Sequence, residues 1–188
     1  MIDNDSKNSI NKVGVLGAGL MGHGITHAIA TSGIEVVMID TSLEKLENAL
    51  SRIKTILHDD LTKRIMSKEE FQNALNQITI GDDYDMLSGC DMVIEAVYED
   101  RALKEEVINS ADKLLSSDGV CASNTSTIPI SILASASTRP ENFIGLHFFS
   151  PVNKMKLVEV IKGEKTSQQT LSIALDLVKS IRKNPIVV

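Results

Sequence analysis

His147, Glu159 and Ser126 are the side chains of this 188-residue sequence best placed to move a proton. A neutral histidine can take a hydroxyl proton while hydride leaves the same carbon, and a carboxylate can hold its tautomer and stabilise the imidazolium that forms. Ser126 follows the strand-like run GVCASN (119–124), and His147 ends FIGLHFF (143–149). Both therefore sit on the side of an open α/β sheet where ligands bind. Glu159 lies on the next strand-like run, KLVEVIKG (156–163). Taken one by one, each has a plainer role open to it. Ser126 or Thr127 could cap a helix at Pro129, His147 could be a core residue, and Glu159 could face water. Only convergence in space would make them a site.

A second group could hold a phosphorylated ligand. GVLGAGLMGHGITHAIA (14–30) contains G-x-G-x-x-G as Gly17, Gly19 and Gly22, with Ala18, Leu20 and Met21 between them. A strand-like KVGVL precedes it, a helical stretch follows, and Asp40 lies about twenty positions on, which are the three contexts this motif needs. Gly17 permits the tight turn, Gly19 admits a pyrophosphate against the backbone, and Gly22 lets helix approach strand. The helix start supplies free N–H groups and a positive dipole end for the anion. Asp40 would accept from ribose hydroxyls and repel a 2′-phosphate, and no Arg follows it at 41–43, so NAD is expected rather than NADP. A packing-only turn with Asp40 as a helix cap, or a site for FAD or another nucleotide, remains open at this point.

The elements that must position these groups alternate along the chain. Strands are expected at 12–16, 35–40, 78–81, 91–97, 119–124, 143–149, 156–163 and the terminal PIVV. Helices are expected at 20–32, 41–57, from Ser67 through a Ser-x-x-Glu capping box, at 101–115, after Pro129 at a first helical turn, and at 167–182. Gly33 suits the end of the first helix. The alternation predicts one α/β domain at 12–188, a Rossmann-type doubly wound and mostly parallel sheet, after a polar tail at 1–11.

Composition narrows the class of partner. No apolar run approaches the roughly 18 residues of a membrane span. The formal charge of −6 disfavours a general nucleic-acid binder. The first eleven residues lack the features of a secretory or organelle signal, which leaves a cytoplasmic expectation. Cys90 and Cys121 form no CxxC or Cys/His cluster, so both are expected as small buried residues and no metal site is indicated.

The motifs GVLGAGLMGHGI, VIEAVYED, SNTSTIPIS and HFFSPVNKMKLVEVIKG, in this order, resemble the NAD-binding domain of the 3-hydroxyacyl-CoA dehydrogenases, including the dehydrogenase part of multifunctional fatty-acid oxidation enzymes. The likeness covers the chain beyond its first residues. It implies that His147 is the general base in alcohol oxidation, Glu159 its orienting partner and Ser126 a hydrogen-bond donor to the substrate oxygen. It further implies that Glu99 and Lys104 contact NAD, and that Lys54, Lys63 and Arg64 lie where acyl-CoA phosphates could meet them.

Two departures stand out. Ser150 occupies a place where the family commonly has Asn, which shortens the reach of any substrate contact there. The family also continues with a D-x-P-G-F-x-x-N-R segment and a helical domain that closes the cleft and usually forms a homodimer, whereas this sequence ends at NPIVV. The resemblance thus implies an acyl-CoA dehydrogenation whose cofactor domain is this chain. A cofactor module with little turnover alone and a dehydrogenase of a non-CoA 3-hydroxyacid are the competing readings.

Overall fold

The structure, a computed structural model, describes residues 10–188. Most of the expected polar tail lies outside the described residues; Asn11 already contributes its carbonyl to the Glu35 amide. In chain order the elements are β1 (Lys12–Leu16), α1 (Leu20–Ala30), β2 (Glu35–Ile39), α2 (Leu43–Thr62), α3 (Lys68–Asn76), β3 (Ile78–Gly81), β4 (Met92–Glu95), α4 (Arg101–Asp112), β5 (Val120–Ser123), α5 (Ile130–Ala134), β6 (Phe143–Phe148), β7 (Leu157–Lys162), α6 (Gln168–Ser180) and β8 (Asn184–Val187).

The eight strands form one sheet in the order β3-β2-β1-β4-β5-β6-β7-β8. The chain winds outward from β1 to β3, returns to β4 beside β1, and winds outward the other way. The crevice at that reversal is where a doubly wound sheet binds its ligand. Every neighbouring pair is parallel except β6 and β7, which are antiparallel. This matches the doubly wound, mostly parallel expectation.

Both faces of the sheet are covered, which is why its strands read as unbroken apolar runs. Successive side chains alternate between faces. Val13 and Val15 pack with Ile25 and Ile29 of α1 and with Leu177 of α6, whereas Leu16 joins Val107 and Ile108 of α4 and Leu133 of α5. Leu46, Ile53 and Leu57 seat α2 on Met38. Each such fully buried side chain contributes about 1.5–3 kcal/mol. Cys90 and Cys121 are buried and free, as their spacing predicts.

The helix starts follow local chemistry. Ser42, Asp100 and Ser167 each cap a helix, and Ser67 with Glu70 forms the expected capping box. Pro129 differs from its expected place: it is the residue before α5, with ψ at 131°, rather than part of its first turn. The helix α2 runs five residues beyond its expected end, to Thr62.

The segment between β6 and β7 carries Ser150 and is fixed from two sides. A Cβ on Gly24 of α1 would stand 2.8 Å from the Val152 Cβ, so only glycine lets α1 come this close. From the other side, the Lys183 ammonium donates to the Val152 and Met155 carbonyls at 2.6 and 2.7 Å.

Candidate functional site

The turn after β1 has the geometry of an anion cradle. Gly17 has φ of +100°, and a Cβ there would meet the Ala96 carbonyl at 2.8 Å. A Cβ on Gly22 would fall 1.7 Å from the Gly17 carbonyl oxygen. Gly19 is different, because a Cβ there meets nothing within 4 Å. Two of the glycines are thus required by the protein itself, and Gly19 faces open space. The first turn of α1 has no acidic residue and no side-chain cap, which leaves its N–H groups and positive end for an anion.

The Asp40 carboxylate stands at the end of β2 beside this turn. It accepts from the Ala18 N–H at 2.9 Å and from the Ser42 N–H at 3.1 Å. These bonds fix it without burying it. A groove of about 480 Å³ runs past Gly17, Gly19, Leu20, Met21, Asp40, Val97 and Tyr98. A dinucleotide fits this set: carboxylate for a ribose, glycines and helix start for a pyrophosphate, and apolar walls for the rings.

A second crevice, of about 340 Å³, is lined by Met21, Ala96, Val97, Glu99, Lys104, Asn124, Ser126, His147 and Ser150. Met21, Ala96 and Val97 line both. Groove and crevice therefore form one trough along the carboxyl ends of the strands, from Asp40 to His147.

Register sets the pair at the far end. His147 and Glu159 are opposite one another across the antiparallel β6–β7 ladder, so their side chains share a face. The His147 Nδ1 lies 2.8 Å from Glu159 Oε2, and the Phe149 ring packs against the imidazole at a 55° tilt with centroids 4.6 Å apart. With Nδ1 bonded to a carboxylate, Nδ1 carries the proton in the neutral ring and Nε2 is left as the acceptor. A group that can take a proton is thus oriented at the end of the trough.

The Ser126 loop is organised by Glu99. Glu99 Oε1 accepts from Thr125 Oγ1 at 2.5 Å, from the Ser126 and Thr127 N–H groups at 3.0 and 3.1 Å, and from Thr127 Oγ1 at 3.0 Å. Its Oε2 meets the Lys104 ammonium at 3.1 Å. Partial burial alone would push the Glu99 carboxyl up, but the donors from Thr125, Lys104 and Ser126 outweigh it and bring it down to about 2. Glu99, although exposed, is therefore held in place by protein donors. Lys104 is buried, 1% exposed, with its ammonium 2.7 Å from Glu95 Oε1.

Sequence reasoning missed three participants. Glu95, also 1% exposed, is the hidden half of the Lys104 pair. Asn124 lines the crevice and accepts from the Phe148 N–H at 2.8 Å, tying the end of β5 to β6. Thr125, rather than Ser126 or Thr127, shapes the turn before α5, accepting from the Ile128 N–H at 3.0 Å. Lys54, Lys63 and Arg64 line neither part of the trough. Lys54 borders a separate shallow cleft with His58 and Phe71, and Lys63 and Arg64 lie at the carboxyl end of α2. Among the described residues no group of three or more His, Cys, Asp or Glu could hold a metal ion, and no helix is long and apolar enough to cross a membrane.

A doubly wound sheet with a dinucleotide trough leading to a His–Glu pair defines a nicotinamide-dependent dehydrogenase domain. Comparison with known proteins gives the family. The family described as the NAD-binding domain of 3-hydroxyacyl-CoA dehydrogenase matches residues 12–188, and the chain belongs to it. Its cofactor is accordingly NAD. The fatty acid oxidation complex subunit alpha of Vibrio parahaemolyticus is 42% identical over 181 residues, which cover 96% of this chain and 26% of that protein. The (S)-3-hydroxybutyryl-CoA dehydrogenase of Ralstonia eutropha is 38% identical with a TM-score of 0.93, over 96% of this chain and 64% of that one. An NAD-dependent 5-formyl-3-hydroxy-2-methylpyridine 4-carboxylic acid 5-dehydrogenase is 34% identical with a TM-score of 0.84, over 96% and 58%. The chain thus spans about a quarter of the curated relative.

Proposed function

We propose that this chain is the cofactor-binding part of an enzyme that oxidises L-3-hydroxyacyl-CoA to 3-oxoacyl-CoA with NAD. The observation that carries this reading is the 2.8 Å His147–Glu159 pair at the end of the trough that starts at Asp40. NAD supplies the hydride acceptor when bound. Asp40 holds the adenosine ribose, the amides from Gly17 to Gly22 hold the pyrophosphate, and Glu99 with Lys104 borders the nicotinamide end.

His147 Nε2 takes the hydroxyl proton as the carbon–oxygen double bond forms, and Glu159 stabilises the resulting imidazolium. Ser126, held by Glu99 through its own N–H, would turn its hydroxyl from the long 3.5 Å bond it makes to Glu99 Oε1 toward the substrate oxygen. Ser150 lines that crevice as a shorter substitute for a longer polar side chain. Lys54, Lys63 and Arg64 are the residues proposed for the CoA phosphates, on the exposed side of α2 and past its end. A fatty-acid or butanoate oxidation role in the cytoplasm and a homodimeric assembly belong to the same proposal.

The relative that acts on a pyridine carboxylic acid favours a second reading, a hydroxyacid substrate without CoA. Comparing L-3-hydroxybutyryl-CoA with free L-3-hydroxybutyrate as reductants of NAD separates the two. We expect kcat/KM to favour the CoA thioester by about 100-fold or more, the effect of roughly 3 kcal/mol of extra binding. Equal use of both would contradict the CoA assignment, and NAD binding with no turnover of either would support the cofactor-module reading.

A further inference from the structure

Glu95 lines neither part of the trough, yet it is a buried carboxylate at the carboxyl end of the apolar strand β4. Parallel register puts it directly beside Ser123 and Leu16 in one row across β1, β4 and β5. Ser123 Oγ donates to Glu95 Oε2 at 2.5 Å, and the Val97 N–H donates to Oε1 at 2.7 Å. The Lys104 ammonium completes the set at 2.7 Å and is shared with Glu99 at 3.1 Å. The cluster holds two carboxylates and one ammonium, so it carries one excess negative charge.

That excess charge is not screened in the ordinary way. Glu95 and Lys104 are each 1% exposed, so part of the cluster lies in a low-dielectric interior, where a charge is felt farther than in water. Its exposed member is Glu99, which with the buried Lys104 lines the crevice that also contains His147. A ring that exchanges hydride with a carbon whose hydroxyl proton goes to His147 must lie in that crevice. The oxidised nicotinamide ring is positively charged and the reduced ring is neutral.

We infer that the Glu95–Lys104–Glu99 cluster sets the redox preference of cofactor binding, with Glu95 favouring the oxidised nicotinamide through its charge alone. This rests on the proposed placement of NAD in the trough. Glu95 is a specificity-determining residue that acts at a distance through its charge, without contacting the ligand. The Glu159 carboxylate beside His147 adds to the same field and is unchanged by substitutions at residue 95.

The test is calorimetric titration of the 188-residue chain and its Glu95→Gln variant with NAD+ and, separately, NADH. Gln keeps the acceptor for Val97 and Lys104 and can donate to Ser123, so the geometry is retained while the charge is lost. The ratio of NAD+ to NADH affinity is expected to fall by roughly threefold or more in the variant, as expected for one charge acting over about 10 Å at an intermediate dielectric. An unchanged ratio, or equal weakening of both ligands, would show a merely structural role and overturn the inference. If Glu95→Gln does not fold, Glu99→Gln removes the same excess charge from the open end, and a ratio that does not fall there is equally fatal. Failure of the unsubstituted chain to bind either ligand would remove the NAD placement itself, a result distinct from an unaltered ratio.

Discussion

Replacing His147 by Gln is expected, on the proposed function, to lower the rate of NADH formation from a 3-hydroxyacyl-CoA by about 10²–10⁴-fold, the span that a positioned general base contributes. NAD affinity will be nearly unchanged. The reason is local: Gln keeps a donor toward Glu159 Oε2, now 2.8 Å from Nδ1, but offers no basic nitrogen to the trough. The residue also lies at the far end from Asp40 and the glycine turn, so the groups proposed for the ribose and pyrophosphate are untouched. Steady-state NADH absorbance and NAD titration on the same preparations check both halves. A variant with the parental rate would remove His147 from the chemistry.

Gly22→Ala and Gly19→Ala will fail in opposite ways. At Gly22 the new Cβ overlaps the Gly17 carbonyl oxygen at 1.7 Å, a backbone atom that cannot move without opening the β1–α1 turn. Overpacking of this kind costs about 3 kcal/mol, which lowers Tm by roughly 6–12 °C in a chain of this size. NAD affinity falls with it. At Gly19 the Cβ meets no protein atom within 4 Å, and φ of −76° is open to alanine. Thermal stability there should change by less than about 0.5 kcal/mol. NAD affinity should nonetheless fall by at least about tenfold, because the methyl would occupy the space proposed for the pyrophosphate. Thermal melts with paired NAD titrations measure both quantities. A Gly19→Ala chain that binds NAD as the parent does would place the pyrophosphate elsewhere.

The glycine turn and its neighbouring Asp40 were readable in the sequence because their determinants are local. A strand, a glycine turn, a helix and an acid some twenty residues on all fall within one βαβ unit, and chain connectivity alone brings Asp40 to the Ala18 amide. The His–Glu pair was readable only as a suspicion. Its contact depends on the antiparallel register of β6 and β7, and a shift of one residue would put the two side chains on opposite faces.

The Glu95–Lys104 pair carried signals that composition arguments passed over. Glu95 interrupts the apolar run of VIEAV, and Lys104 falls on the helical face of Val107, Ile108 and Ala111, all buried. A charge on each of two buried faces implies a partner, because an unpaired one would be too costly. The close approach of Gly24 to Val152 had no such signal, since it joins residues whose contact depends on the whole sheet being closed.

The glycine turn, Asp40 and the crevice beside His147 are together proposed to hold NAD. Calorimetric titration of the purified, folded chain with NAD tests this most directly. Saturable one-to-one binding, with NADP bound more weakly because Asp40 meets its 2′-phosphate, is the result expected. A folded chain that takes up no NAD at millimolar concentration would contradict the placement of the cofactor and every catalytic role built on it.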